Sequence, residues 1–347
     1  MSDRLGAPLV IGTPVAEFEP RPPTVRGYRP DLAADGWSTA GFAVRAASVR
    51  GYQHRHDGTP RQDDFALAWH PSTDALVLAV ADGVSGADLS HLGATLACRT
   101  AVEQLLRLLD GSPAPDPDWR EVLRCAGWAL VEYAGQQADS VNSAAEWAER
   151  RLASTLVAAV VLPGPDGTAR ALVARVGDSS AWVLDGGGWA EVFGGGAAGG
   201  VVTAAVTALP RVPAEVAGAV VDLPAGAVLL VGTDGVGTAL GDGTGPVGDA
   251  LAAGLAGRPS PVQLAHLLDF SRETFDDDRT LVAVWPLPPP EPEPAAAVPA
   301  AAAADPTADR RAAAELIAAG LSPEELAIAG LADAGADGGG AGAEAEP

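Results

Sequence analysis

Strand-length apolar runs and stretches of helical period come in blocks along this chain, and that order excludes most α/β architectures. Runs at 42–49 (FAVRAASV), 64–70 (DFALAWH) and 76–81 (LVLAVA) are short, apolar or alternating, and bounded by turn residues, as strands are. The turn-rich PSTD between the last two predicts a hairpin. Two helical patterns follow. In 88–109, Leu89, Leu92, Leu96, Val102, Leu105 and Leu109 recur at helical spacing, and in 118–134, Trp119, Val122, Leu123, Ala126, Leu130 and Tyr133 do the same, with GSPAPDP between them. A helical stretch at 141–152 then leads into strand runs at 155–162, 169–176, 180–185, 216–223 and 227–234. Helical patterns at 246–256 and 261–274 precede a last strand at 280–285. A doubly wound sheet would alternate strand and helix more regularly, so the block order predicts an α+β sandwich of two sheets with helices packed outside.

The flanks differ in composition. Residues 1–39 are Pro-rich and aperiodic and read as a flexible N-terminal segment ahead of a domain at 40–285. Within that domain GGGWAEVFGGGAAGG (186–200) reads as a flexible connection. Residues 286–305 form a Pro/Ala-rich linker, and 306–347 read either as a short helical hairpin that docks a partner or as a disordered acidic tail. In that last segment Ser322 and Glu325 have capping-box spacing, with Pro323 at the first helical position.

Charge removes whole classes of function. The formal net charge is −23, and all 22 basic residues are arginine. Nucleic acids and anionic membranes are disfavoured as partners, because both require a cationic surplus. P-loop ATPases, protein kinases and Schiff-base enzymes lack their working lysine here. The chemistry must use carboxylates, arginines or metals. Cys98 and Cys125 both fall in helical patterns and read as buried apolar groups rather than a disulfide or metal site. With no signal peptide pattern and no apolar run of spanning length, the expected location is cytoplasmic.

Four acids share one context, each at the end of an apolar strand or at the turn beside one: Asp63 in TPRQDDF, Asp82 in VADGVSGA, Asp234 in VGTDGV and Asp277 in DDDRTLV. Singly, an Asp-Gly after a strand is a common turn. Together, four strand-end carboxylates match an oxygen-rich site for Mg²⁺ or Mn²⁺, since hard cations take several carboxylates plus water.

The ordered series QDD (62–64), ADGVSGA (81–87), AST (153–155), VGDSSAW (176–182), GTDGV (232–236) and DDRTLV (277–282) resembles the metal-dependent serine/threonine phosphatases of the PP2C or PPM family, in its bacterial branch. The resemblance covers about residues 41–285. It implies a four-layer α-β-β-α sandwich of two mainly antiparallel sheets, and hydrolysis of phosphoserine or phosphothreonine in proteins by a hydroxide shared between two Mn²⁺ or Mg²⁺ ions. In that reading Asp82 bridges the ions and Gly83 offers its carbonyl to the second. Asp234 and Asp277 complete the first ion's shell, Asp63 holds metal-bound water, and Asp178 orders the site or serves an accessory ion. The expected partner is a phosphoprotein substrate, and the expected state a monomer.

The chain also departs from the family pattern. Gln62 stands where many relatives have Glu, and Val84 where eukaryotic relatives have His. Thr238 replaces a frequent acid. The phosphate-gripping arginine falls near Gly58, leaving Arg55 and Arg61 as candidates for the substrate phosphate. His54 and His56 are candidates for the leaving-group proton. A second reading of the same residues is a partner-binding module built on the phosphatase fold, with little or no turnover.

Overall fold

The computed structural model describes residues 9–16, 18–22, 29–112, 116–137, 141–186, 188–194 and 207–288. The described strands form two sheets in which all neighbours are antiparallel. The first sheet has the order β1-β2-β11-β10-β7-β8, made of Leu32–Ser38, Phe42–Val49, Arg279–Pro286, Val228–Gly232, Ser180–Asp185 and Gly188–Glu191. The second has the order β3-β4-β5-β6-β9, made of Asp64–His70, Ala75–Ala81, Leu156–Pro163, Ala169–Val176 and Ala217–Leu223. The expected hairpin is β3–β4. Asp74 closes it at φ 51°, a left-handed conformation that aspartate tolerates better than most residues.

Strand β4 shows how the layers arise, because it is apolar on both faces. Leu76, Leu78 and Val80 point between the sheets, against Phe42, Val44 and Ala46 of β2 and Val282 and Val284 of β11. Val77, Ala79 and Ala81 point outward against α2 (Ser90–Gly111) and α3 (Trp119–Gly135), which bury Ala97, Ala101, Leu105, Leu123, Ala126 and Leu130 there. Helix α4 (Val141–Arg151) joins this outer layer through Ala144 and Ala148. On the far face of the first sheet, Ala43, Ala47, Leu230 and Leu281 pack against Val236 of α5 (Asp234–Leu240), Leu251 of α6 (Pro246–Leu255) and Leu264 and Leu268 of α7 (Pro261–Leu268). The result is the expected stack of helices, sheet, sheet and helices.

Four elements go beyond the sequence reading. Residues 32–38, assigned to the flexible lead-in, form the edge strand β1, zipped to β2 from Leu32↔Val49 to Ser38↔Ala43. Further upstream, Val10 bridges Ser271 and Ile11 is buried. A short helix, α1 (Tyr52–Asp57), follows β2. Strand β8 occupies 188–191 within the glycine-rich connection, and the segment read as a strand through Asp234 turns helical at that residue. The linker beyond Pro288 and the 306–347 segment lie outside the described residues. Among those described, no helix is long and apolar enough to cross a membrane.

Candidate metal centre

Antiparallel register brings the acids to one edge of the sandwich. Asp63 immediately precedes β3, and Asp64 pairs with Ala81, the residue before Asp82. In the other sheet Gly232, at the end of β10, pairs with Leu281 near the start of β11 and with Ser180 at the start of β7. Asp234, Asp277 and Asp178 therefore leave adjacent strands at the same end. Side chains brace this edge within the second sheet and across to the first. The Asp82 N–H donates to Thr155 Oγ1 (3.0 Å), and Ser154 Oγ donates to the Asp82 carbonyl (2.9 Å). Thr155 Oγ1 also bonds Ser179 Oγ at 2.7 Å, in the turn that carries Asp178.

Asp82, Asp178 and Asp234 offer carboxylate oxygens that all lie within 4.8 Å of one another. Asp63, 1% exposed, feels the charge of the Asp82 carboxylate and accepts from Thr233 Oγ1 at 2.7 Å. Asp277 forms a second group with His54 and Asp278, again within 4.8 Å, and its charge acts on both Asp82 and Asp234. Thus Asp178, expected as an accessory, stands directly with Asp82 and Asp234, while Asp277 belongs to the His54–Asp278 group and reaches the first group through its charge.

Crowding shifts these carboxyls upward. Burial, then the charge of Asp234, raises Asp82 to about 8. Burial followed by Asp178 and Asp277 raises Asp234 to about 6. Asp63 is pushed well above the carboxylate range by burial and by Asp82, and Asp277 is raised by burial and Asp278. Such mutual repulsion among all-oxygen donors is relieved by a hard divalent cation, so the donor set fits one.

Asp278 was not foreseen and plays a different part. Only 1% exposed, it accepts from the Gly51 N–H (2.6 Å) and the Gln62 N–H (2.5 Å), and stands 2.8 Å from His54 Nδ1. Burial opposes ionisation of Asp278, but His54 and these amides outweigh it and its pKa is lowered. Burial likewise opposes protonation of His54, yet Asp278, Asp277 and Asp63 together raise its pKa. The 276–278 segment is gripped between two glycines. A Cβ on Gly51 would come 2.2 Å from the Asp277 carbonyl carbon, and one on Gly235 would come 1.9 Å from the Asp278 carbonyl oxygen. The DDD triplet gave no hint of which acid would turn inward, because the deciding partners lie at 51–62.

The other candidates separate. Arg61 is buried and donates to Ser48 Oγ (2.5 Å) and to the carbonyls of Asp63 (2.6 Å) and Pro30 (3.3 Å), so its guanidinium is committed to the fold. Arg55 pairs with Asp269 at 2.9 Å and lies over the Tyr52 ring. His56 is exposed and pairs with its neighbour Asp57. Gly83 is buried, bridges Ser154 and abuts Ser90. Gln62 is buried, Val84 donates its N–H to the Ala153 carbonyl, and Thr238 is exposed on α5.

The profile of the protein phosphatase 2C family matches residues 50–269. No curated protein matches the chain in sequence. Among solved structures, the serine/threonine phosphatase PstP/Ppp of Mycobacterium tuberculosis is 16% identical, covering 71% of this chain and 98% of its own at a TM-score of 0.45. The catalytic domain of PstP in complex with two manganese ions is 17% identical, with 71% and 99% covered and a TM-score of 0.46. PppA, a regulatory component of a secretion system in Pseudomonas aeruginosa, is 18% identical, with 71% and 98% covered and a TM-score of 0.43.

Proposed function

We infer that this chain, which belongs to the protein phosphatase 2C family, hydrolyses phosphoserine and phosphothreonine esters in protein substrates with the aid of Mn²⁺ or Mg²⁺. The observation that carries the reading is the cluster of Asp82, Asp178 and Asp234 within 4.8 Å, flanked by Asp63 and Asp277. A fold that needed no cation would gain nothing by desolvating these acids side by side.

Asp82, Asp234 and Asp277 would hold one ion, Asp82 with the Gly83 carbonyl a second, and Asp178 an accessory one or the order of the site. Bound cations in such a site supply an acidified water and neutralise phosphoryl charge. The chain's own residues do the positioning. Thr155 and Ser154 fix the Asp82 backbone, and Thr233 holds the Asp63 carboxylate toward Asp82. Asp178 is exposed and the Asp277 side chain 48% exposed, so the acids face an open edge that suits a phosphorylated segment of a protein. Asp277 is also 4.0 Å from His54 Nε2, which puts a proton-carrying group beside the acids.

A second reading, a partner-binding module with little turnover, is favoured by one observation: Arg55 and Arg61, the arginines nearest the usual phosphate-gripping position, are already paired or buried. Hydrolysis of a phosphothreonine peptide, followed with Mn²⁺ and with Mn²⁺ plus chelator, separates the two. The phosphatase reading expects turnover that chelation abolishes and that Asp82→Asn removes. Phosphopeptide binding without turnover at any metal concentration would select the module.

A further inference from the structure

The loop that carries Asp63 is held by a residue from outside the family match, which begins at residue 50. Arg29 lies ahead of β1, in the segment that the sequence reading treated as a flexible lead-in. Its side chain is 13% exposed, and all three nitrogens of its guanidinium find acceptors in one place. Nε donates to the Arg61 carbonyl at 2.5 Å, Nη2 to the Asp63 carbonyl at 2.9 Å and Nη1 to Thr95 Oγ1 at 3.2 Å, and Asp64 lies 3.7 Å away. Arg61 answers from the other side, reaching the Pro30 carbonyl at 3.3 Å and the same Asp63 carbonyl at 2.6 Å. The neighbouring Asp31 is secured in turn, its carboxylate 3.1 Å from Arg50 Nη1 and its carbonyl accepting the Arg50 N–H at 2.8 Å.

One planar fork therefore ties together the 29–31 segment, the 61–63 loop and helix α2. A lysine could supply the charge and three rotatable donors, but not a fixed planar fork that reaches all three acceptors at once. Residue 63 has its backbone gripped by two guanidiniums and its carboxylate gripped by Thr233, so the direction in which it meets Asp82 is set from both ends.

We propose that Arg29 is a positioning residue for the metal centre: by fixing the backbone of residues 61–63 it aims the Asp63 carboxylate at Asp82. The proposal rests on the reading that these acids hold divalent cations. Partners that orient metal-site groups without touching the ion typically contribute about 10- to 100-fold in affinity.

The test is a calorimetric titration of the full chain with Mn²⁺ alone, for wild type, Arg29→Ala, Arg29→Lys, and Arg21→Ala as a control on an exposed side chain of the same segment. Melting temperatures of the metal-free forms are measured alongside. The expected result is Mn²⁺ affinity lowered about 10-fold in Arg29→Ala, by less in Arg29→Lys, and unchanged in Arg21→Ala. If Arg29→Ala does not fold, Arg29→Lys carries the test, with a loss of about threefold expected. A lowered melting temperature with wild-type Mn²⁺ affinity would show Arg29 to be structural only and would overturn the proposal alone. A wild-type chain that takes up no Mn²⁺ would overturn the metal reading and the proposal with it.

Discussion

The two halves of the acidic edge are built differently. On one side Asp63 and Asp82 sit on the second sheet, with Asp63 1% exposed, their backbones and side chains held by Thr155, Ser154, Thr233, Arg61 and Arg29. On the other side Asp178 is exposed in a turn and the Asp277 side chain is 48% exposed. Under the proposed reading the contrast separates two tasks: a preorganised wall that would dictate where the cations sit, and an open rim whose acids, Asp277 among them, would complete the ions' shells from the side that meets water and substrate. A wall fixed in advance would leave less to be ordered on binding of the proposed cations.

The sharpest test of this division is Asp82→Asn, which takes a charge from the wall where the repelling acids converge. Mn²⁺ uptake and Mn²⁺-dependent phosphopeptide hydrolysis are each expected to fall by at least about 100-fold. Wild-type turnover at saturating Mn²⁺ would break the comparison outright. Thr233→Val comes next. It deletes the hydroxyl that donates to Asp63 and also accepts the Thr280 N–H at 3.1 Å, so a loss of about 10-fold in metal affinity is expected by the same titration. Asp178→Asn, on the rim, should cost only about threefold. If it costs as much as Thr233→Val, the rim is part of the wall.

The last test concerns the pH dependence of stability. In the metal-free chain Asp82 and Asp234 are raised to about 8 and about 6, from an ordinary value near 3.8. The folded state therefore holds protons that the unfolded state has released. The stability contributed by those protonated acids is complete below about pH 4 and is lost as pH rises through 6 and then 8. From pH 5 to pH 8 the melting temperature of the metal-free chain is expected to fall by roughly 10 °C. Saturating Mn²⁺ should abolish that fall, because the cations then balance the carboxylates. A metal-free melting temperature that rises over this interval would show that the acids do not crowd one another.

Periodicity made most of the fold legible. The apolar runs of β2 to β7 and the long amphipathic faces of α2 and α3 stand close to the limits read from the sequence. β1 was not legible. LAADGWS carries a weak pattern and an interior glycine, and it is a strand because β2 offers it an edge. α5 was hidden because DGVGTAL, with two glycines in seven residues, reads as the turn after an apolar strand rather than as a helix. The acids were legible through the repeated pairing of an apolar run with a terminal aspartate. Arg29 and Asp278 were not, since each takes its role from partners far away in sequence and carries no local pattern.

β11 lies between β2 and β10, and among the described strands it is the last to be made. The β3-β4-β5-β6-β9 sheet draws all its strands from residues 64–223, so it has every partner it needs while the rest of the chain is still being synthesised. The other sheet cannot join its early and late parts until residues 279–286 emerge, and Asp277 arrives with them. At roughly 5–20 residues per second, the ribosome exposes an open-edged intermediate for several seconds before this strand slots into the middle. A product terminated between the end of β10 and Asp277 is thus left with two bare strand edges, on β2 and β10, as well as an incomplete acid set. A prematurely stopped chain should aggregate rather than persist as a weakly active fragment.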